Sequence, residues 1–262
     1  MPRLVWDNIG EKLYETGIKN GVLYPVTDAG TYPKGVAWNG LTGVEENPSG
    51  AEANKIYADD INYLNLYSAE EFGCTIKAYT YPEEFEACDG SKELTDGVII
   101  GQQARQGFGF AYKTTVGNDT LGDEYGYKLH VVYGCKASPS SKGYNTINDS
   151  PEAIEFSWEV TTTPVTVKNH KPSATLVIDS KKVASSAKLK AIEDVLFGVE
   201  APDFSAEKTY AVGDCVTYEE TVYKCITAVT TPGAWDDSKW EEVENPDARL
   251  PLPDKILEII GK

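Results

Sequence analysis

Two histidines, five cysteines and 41 acidic side chains are the groups in this 262-residue chain from which chemistry could be built. Catalytic and metal sites need such groups at set spacings. His130 and His170 lie in different segments, with no G-x-S-x-G, Walker-type loop or H-E-x-x-H around either. Cys74, Cys88, Cys135, Cys215 and Cys225 are odd in number and widely separated, without a C-x-x-C pair, which argues against zinc and redox chemistry. Free buried thiols of a protein made in a reducing cytoplasm fit that pattern. The acids could supply the carboxylate pair of a glycosidase, but no spacing singles out such a pair. The sequence points away from an enzyme, a metal and a cofactor.

What the acids do have is pattern. In Ile154 to Pro164, Ile154, Phe156, Trp158 and Val160 alternate with Glu155, Ser157, Glu159 and Thr161. Such alternation predicts a β-strand with a buried face and a wet, acidic face, closed by Pro164. Across the chain 24 Lys+Arg stand against 41 Asp+Glu, a net charge of −17. That argues against a surface that grips DNA, since gripping needs clustered cations to displace counterions from phosphates. An acidic wall would instead let DNA slide past. No run approaches the roughly 18 apolar residues of a membrane span, and the N-terminus lacks the apolar core of a secretory signal.

The elements that must carry these residues read as mainly β: 16 Tyr, 23 Gly and 14 Pro suit strands and turns. Residues 5–27 read as an N-terminal arm. Gly35 to Glu45 reads as a strand, Glu46 to Gly50 as the start of a loop, and Asn54 to Tyr67 as one returning strand of about 45 Å. Together they predict a long hairpin with a loop at 46–53 as its tip. Glu70 to Thr80 predicts a strand with Cys74, Ile76 and Ala78 on one face. Tyr81 to Cys88 carries helix-end signals. Gly107–Val116 and Tyr125–Cys135 read as paired strands, and Lys188 to Phe197 as a helix with Leu189, Ile192, Val195 and Leu196 on one side.

Residues 203–244 change character, with ten acids against three lysines, together with Tyr210, Tyr218, Tyr223, Trp235 and Trp240. The apolar character of the segment around residue 196 returns at 247. We therefore expect one large domain, 1–202 continued by 245–262, interrupted by a small all-β module at 203–244. A two-residue turn at Glu219-Glu220 would set Cys215 and Cys225 on opposite faces of a hairpin, where no disulfide can join them.

The ordered series W-N-G-L-T-G-V, Y-A-D-D-I-N-Y, Y-P-E-E-F-E-A-C-D-G, F-G-F-A-Y-K-T, Y-K-L-H-V-V-Y-G-C-K-A, S-W-E-V-T-T-T-P-V, L-V-I-D-S, K-L-K-A-I-E-D-V-L-F-G and R-L-P-L-P-D resembles the major tail (tail tube) proteins of long-tailed, siphovirus-like phages. The resemblance covers about 1–200 and 247–262. It implies a β-sandwich or barrel of the tail-tube fold, with one or two short helices and a long hairpin. Six copies would form a ring, and stacked rings a virion tube around a DNA channel, assembled in the host cytoplasm. The implied partners are further copies of itself, a tape measure protein, tail terminator and distal tail proteins, and DNA in transit. In that frame Glu155, Glu159, Asp59, Asp60, Glu70 and Glu71 are candidates for an acidic lumen lining. Glu46, Asn47, Pro48, Ser49, Gly50 and Glu52 form the candidate ring-stacking loop.

The run E-K-T-Y-A-V-G-D-C-V-T-Y-E-E-T-V-Y-K-C with T-P-G-A-W-D-D-S-K-W-E-E-V is similar to the small carbohydrate-binding modules of chitinases and cellulases. It lacks the consecutive exposed tryptophans that carry chitin binding in many of them. The resemblance implies a stacking surface for sugars, possible partners being host cell-surface glycans. Tyr218, Tyr223 and Trp235 are the candidate platform, with Trp240 assigned to the core. Two functions follow: a tube subunit, or a glycan-binding adhesion protein in which the larger domain is only a scaffold.

Overall fold

The computed structural model describes residues 3–147, 149–150, 152–244 and 246–261, and the fold is mainly β. Its strands are β1 (Leu13–Pro25), β2 (Val36–Trp38), β3 (Leu41–Glu46), β4 (Ser49–Gly50), β5 (Ala53–Ala58), β6 (Ile61–Tyr67), β7 (Glu70–Glu71), β8 (Gly73–Ala78), β9 (Lys92–Thr95), β10 (Val98–Ile100), β11 (Phe108–Asn118), β12 (Gly122–Ala137), β13 (Phe156–Thr162), β14 (Thr175–Asp179), β15 (Cys215–Tyr218), β16 (Thr221–Cys225) and β17 (Trp240–Glu242). The helices are α1 (Phe85–Asp89), α2 (Ser186–Phe197) and α3 (Pro253–Ile260).

One antiparallel sheet, in the order β2-β1-β11-β12-β13-β8-β3, organises the body, with β14 also paired to β12. It rolls until β3 returns to β1: a Cβ on Gly21 would lie 2.2 Å from Leu41 Cδ1. Strand β12 forks the sheet, pairing β14 along Lys128–Val132 and β13 along Cys135–Ala137. Gly134 stands at the fork with φ +59, where a Cβ would meet the Thr163 carbonyl oxygen at 2.1 Å, so only glycine fits.

Alternation along these strands divides the core in two. Leu23, Phe110, Ile76, Trp158 and Val160 point into the roll, where Trp38, Phe85 and Trp158 pack with centroids 4.5 to 5.7 Å apart. Val22, Tyr24, Ala111, Leu129, Val131 and Tyr133 point outward, beneath α2 and α3. Helix α2 is capped by Ser185, whose Oγ accepts the Lys188 N–H at 3.3 Å. Its Ile192 and Leu196 are buried, as the helical spacing predicts, with Leu189 and Val195 half-buried. Short α1 plugs the roll with Phe85, and Asp89 at its end meets Arg105 at 3.5 Å and Lys142 at 2.6 Å.

Three expectations are corrected. The N-terminal stretch is not an arm throughout, because Val22, Leu23 and Tyr24 form the buried end of a central strand. Register shifts around Lys19, with Gly17 and Asn20 at positive φ, break the period that would have revealed it. The long hairpin does not turn at 46–53. Asn47 donates its N–H to Gly73 O, and Ser49–Gly50 pairs with Glu71–Glu70, so this stretch is a bent section of the ribbon's shaft. Pro48 lacks a donor and Gly50 and Ala51 take positive φ, which interrupts the ladder without ending it. The tip is Asp59-Asp60, both at positive φ as in a type I′ turn, so Asn54 to Tyr67 is two strands rather than one. Finally, Ile154 is exposed, because β13 pairs with β8 only from Phe156, opposite Ala78.

Candidate functional site

The module is a three-stranded sheet, β15-β16-β17, whose first hairpin turns on Glu219-Glu220, both at positive φ. Cross-strand pairs place Val216 beside Tyr223, Tyr218 beside Thr221, and Cys225 beside Trp240, all on one face. Val216 and Cys225 are buried at the centre of that face. Cys215 points the other way, and all five cysteines are free thiols. Burial pushes the Cys215 thiol up, with Asp194 of α2 adding to the effect.

Trp235 lies over the aromatic face of the sheet. Its ring is nearly parallel to Tyr218 (4.1 Å, 6°) and to Trp240 (5.0 Å, 12°). Strands β15 and β17 are separated by β16, hence about 9.5 Å apart. The two stacking distances span that gap, so the indole is slotted between Tyr218 and Trp240. Tyr223 meets it from below at 65°, and Phe204 meets it edge-on at 88°. Trp235 Nε1 donates to Asp237 Oδ1 at 2.5 Å, which uses its polar handle within the module.

Tyr218, Tyr223 and Trp235 come together, all three half-buried, and Trp235 packs against the module's core with a ring on each face. Tyr218 ends the stacked column, with Trp235 on one face of its ring. Trp240 is buried, as its assignment to the core requires. The sequence marked these aromatics by type; which ring covers which depends on strand order, which spacing along the chain does not reveal.

A second region stands apart from any core. Strands β5 and β6 form a two-stranded sheet whose residues are almost all exposed. The register, with its bulge between Ile56 and Tyr57, gathers Ile56, Ile61, Leu64 and Leu66 on one face and Tyr57, Tyr63 and Tyr67 on the other. Ile61 is 64% exposed and Leu66 52%. Exposed Leu4, Val5, Trp6 and Ile9 near the N-terminus add a further unpartnered apolar segment.

The candidate lumen acids are scattered between these regions. Glu159 is exposed on β13 in one row with Thr75 and Glu45, as the alternation predicts. Lys77 stands among them, 2.5 Å from Glu45, and the Glu45 and Glu155 carboxylates raise its ammonium above the ordinary lysine range. Glu155 is exposed just before β13, Asp59 and Asp60 make the hairpin tip, and Glu70 and Glu71 lie along its shaft. Of the candidate stacking loop, Glu46 is exposed and accepts the Tyr112 hydroxyl at 3.2 Å. Asn47 is tied to Thr75 at 3.0 Å. Pro48, Ser49, Gly50 and Glu52 stay exposed.

Among the described residues no group of three or more His, Cys, Asp or Glu is placed to hold a metal ion, and no helix is long and apolar enough to cross a membrane. Comparison with curated proteins finds no match for the chain. The family model for carbohydrate-binding module family 5/12 matches residues 203–248, and the chain carries a domain of that family there.

Proposed function

We propose that this chain is a virion structural subunit that assembles through its long hairpin into stacked hexameric rings, a tail tube conducting DNA, and displays its carbohydrate-binding module on the outside. The observation that supports assembly is the β5–β6 ribbon. An isolated two-stranded hairpin is marginal in water, and this one exposes both backbone edges together with an aliphatic stripe. Contacts with identical copies that close rotationally would give rings, and contacts that do not would give a filament. Within such a tube, exposed acids such as Glu155 and Glu159 would repel a phosphate backbone within a Debye length of about 8 Å.

In this reading 203–244 is an insertion. Val199 donates its N–H to Pro246 O at 2.8 Å, and Gly35 donates to Ala248 O at 2.6 Å. The flanks of the module therefore meet on the body, and the larger domain can close beneath it. Negative-stain microscopy of the purified protein tests the proposal: tubes or six-fold rings are the expected result, and a dispersed monomer under all assembly conditions overturns it.

The family match favours a second activity, glycan binding by the module. Tyr218 would carry the stacking contact, and repetition along a tube would turn weak sites into avidity. Titration of the full chain with chitin fragments and cell-wall glycans tests this. Loss of binding in Tyr218→Ala is expected, and silence of the parent chain at millimolar glycan overturns it.

A further inference from the structure

His130 lies on β12 where three other elements converge. Its imidazole lies flat on the Tyr112 ring of β11, with centroids 4.6 Å apart and planes 3° apart. Nε2 is 2.9 Å from Thr114 Oγ1 and 3.4 Å from Glu15 Oε1 of β1. Nδ1 is buried without a hydrogen bond, 3.9 Å from Oε1 of Glu46, the residue at which β3 ends and the hairpin shaft begins. The other groups around it are Lys128 on its own strand, ion-paired with Glu15, then Cys74 of β8 opposite Glu46, and Val177 of β14.

The proton positions follow from these contacts. The Thr114 hydroxyl donates to Glu15 at 2.5 Å, so its oxygen is left to accept and the neutral imidazole carries its proton on Nε2. Nδ1 is then a lone pair facing a carboxylate, a buried acceptor opposite another acceptor. One added proton resolves the mismatch: Nδ1–H donates to Glu46, and the imidazolium sits between two carboxylates.

We propose that His130 is a proton-operated latch that fastens the base of the long hairpin to the barrel. Burial holds the imidazole below the ordinary histidine range, while Glu15 and Glu46 pull in the opposite direction. Because Glu46 in place favours the proton, the proton favours Glu46 in place; linkage is reciprocal. The sign for the whole fold is the reverse. With its folded value below its unfolded one, His130 contributes fully to global stability above the ordinary histidine range, and that contribution declines as pH falls through the folded value. Acid thus tightens the hairpin base while weakening the fold as a whole, whether or not the chain assembles.

The full chain and its Glu46→Gln variant test this. Glu46 is half-exposed on its side chain, so the variant keeps the fold. Two readouts are needed: the His130 ring titration by NMR, with His170 as the other histidine, and hydrogen exchange at the Asn47 amide, which bonds Gly73 O at 2.8 Å. In the variant the His130 midpoint moves to lower pH. In the parent chain Asn47 protection, corrected for intrinsic exchange, rises about fivefold from the neutral to the protonated limb of the His130 titration, below the ordinary histidine range, and stays level in the variant. An unmoved midpoint, or parent protection that stays level or falls with acid, overturns the proposal.

Discussion

The turns Asp59-Asp60 and Glu219-Glu220 each place two consecutive acids at positive φ and join antiparallel strands through two residues. The hairpins they close differ in everything else. In the module, β17 covers one edge of β16, and Trp235, held between Tyr218 and Trp240, covers the face. In the body, β5 and β6 have no third strand, and Ile56, Ile61, Leu64 and Leu66 face solvent. The local turn chemistry is equal, so the contrast lies in what is packed on top. One hairpin is covered within its own chain, and the other is left uncovered by it.

That contrast can be broken in four ways. The largest effect is expected from Leu64→Lys with Leu66→Lys: particles vanish in negative stain, while denaturant unfolding of the monomer shifts by less than about 0.5 kcal/mol. A large loss of monomer stability would show that the ribbon is packed after all. Next, Trp235→Ala removes the slotted indole and costs the module about 3 kcal/mol, read as an early unfolding transition with the barrel transition in place. Smaller still, Glu220→Gly relieves a left-handed residue and stabilises the module by roughly 0.5–1 kcal/mol, whereas Asp60→Gly leaves global unfolding unchanged. Equal gains at both turns would erase the difference between the two hairpins.

The smallest effect is one of pH. Hydrogen bonds from the Ser238 hydroxyl and backbone, aided by Lys239, hold the Asp236 carboxyl below its ordinary value. Its contribution is therefore present above the ordinary aspartate range, about pH 4, and is lost as pH falls through the lowered folded value. Asp236→Asn should flatten that acid-side slope, lowering the module's melting temperature slightly at neutral pH and leaving it unchanged in acid, where the parent carboxyl is already protonated.

Strand β13 was legible because Phe156, Trp158 and Val160 alternate with polar residues, and α2 because its apolar residues repeat at helical spacing. The module stood out by its acids and aromatics. What escaped was whatever depends on backbone irregularity or on strand order. Bulges around Lys19 hid β1 inside an apparent arm. Asp59-Asp60 lacks the glycine or asparagine that usually announces a two-residue turn, so Pro48 and Gly50 drew the tip to the wrong place. Trp235 looked free until β17 brought Trp240 beneath it. The meeting of His130 with Glu46 and Glu15 needs three strands in register, and the sequence held only a lone histidine in a strand pattern.

The hydrogen bond from Val199 to Pro246 also has an evolutionary consequence. A polypeptide that leaves and re-enters its host fold through a single doorway can be traded for another of different length without disturbing the walls. Recombination could refit such a fold with new cargo, and a protein engineer could graft an unrelated ligand-binding cassette at the same threshold.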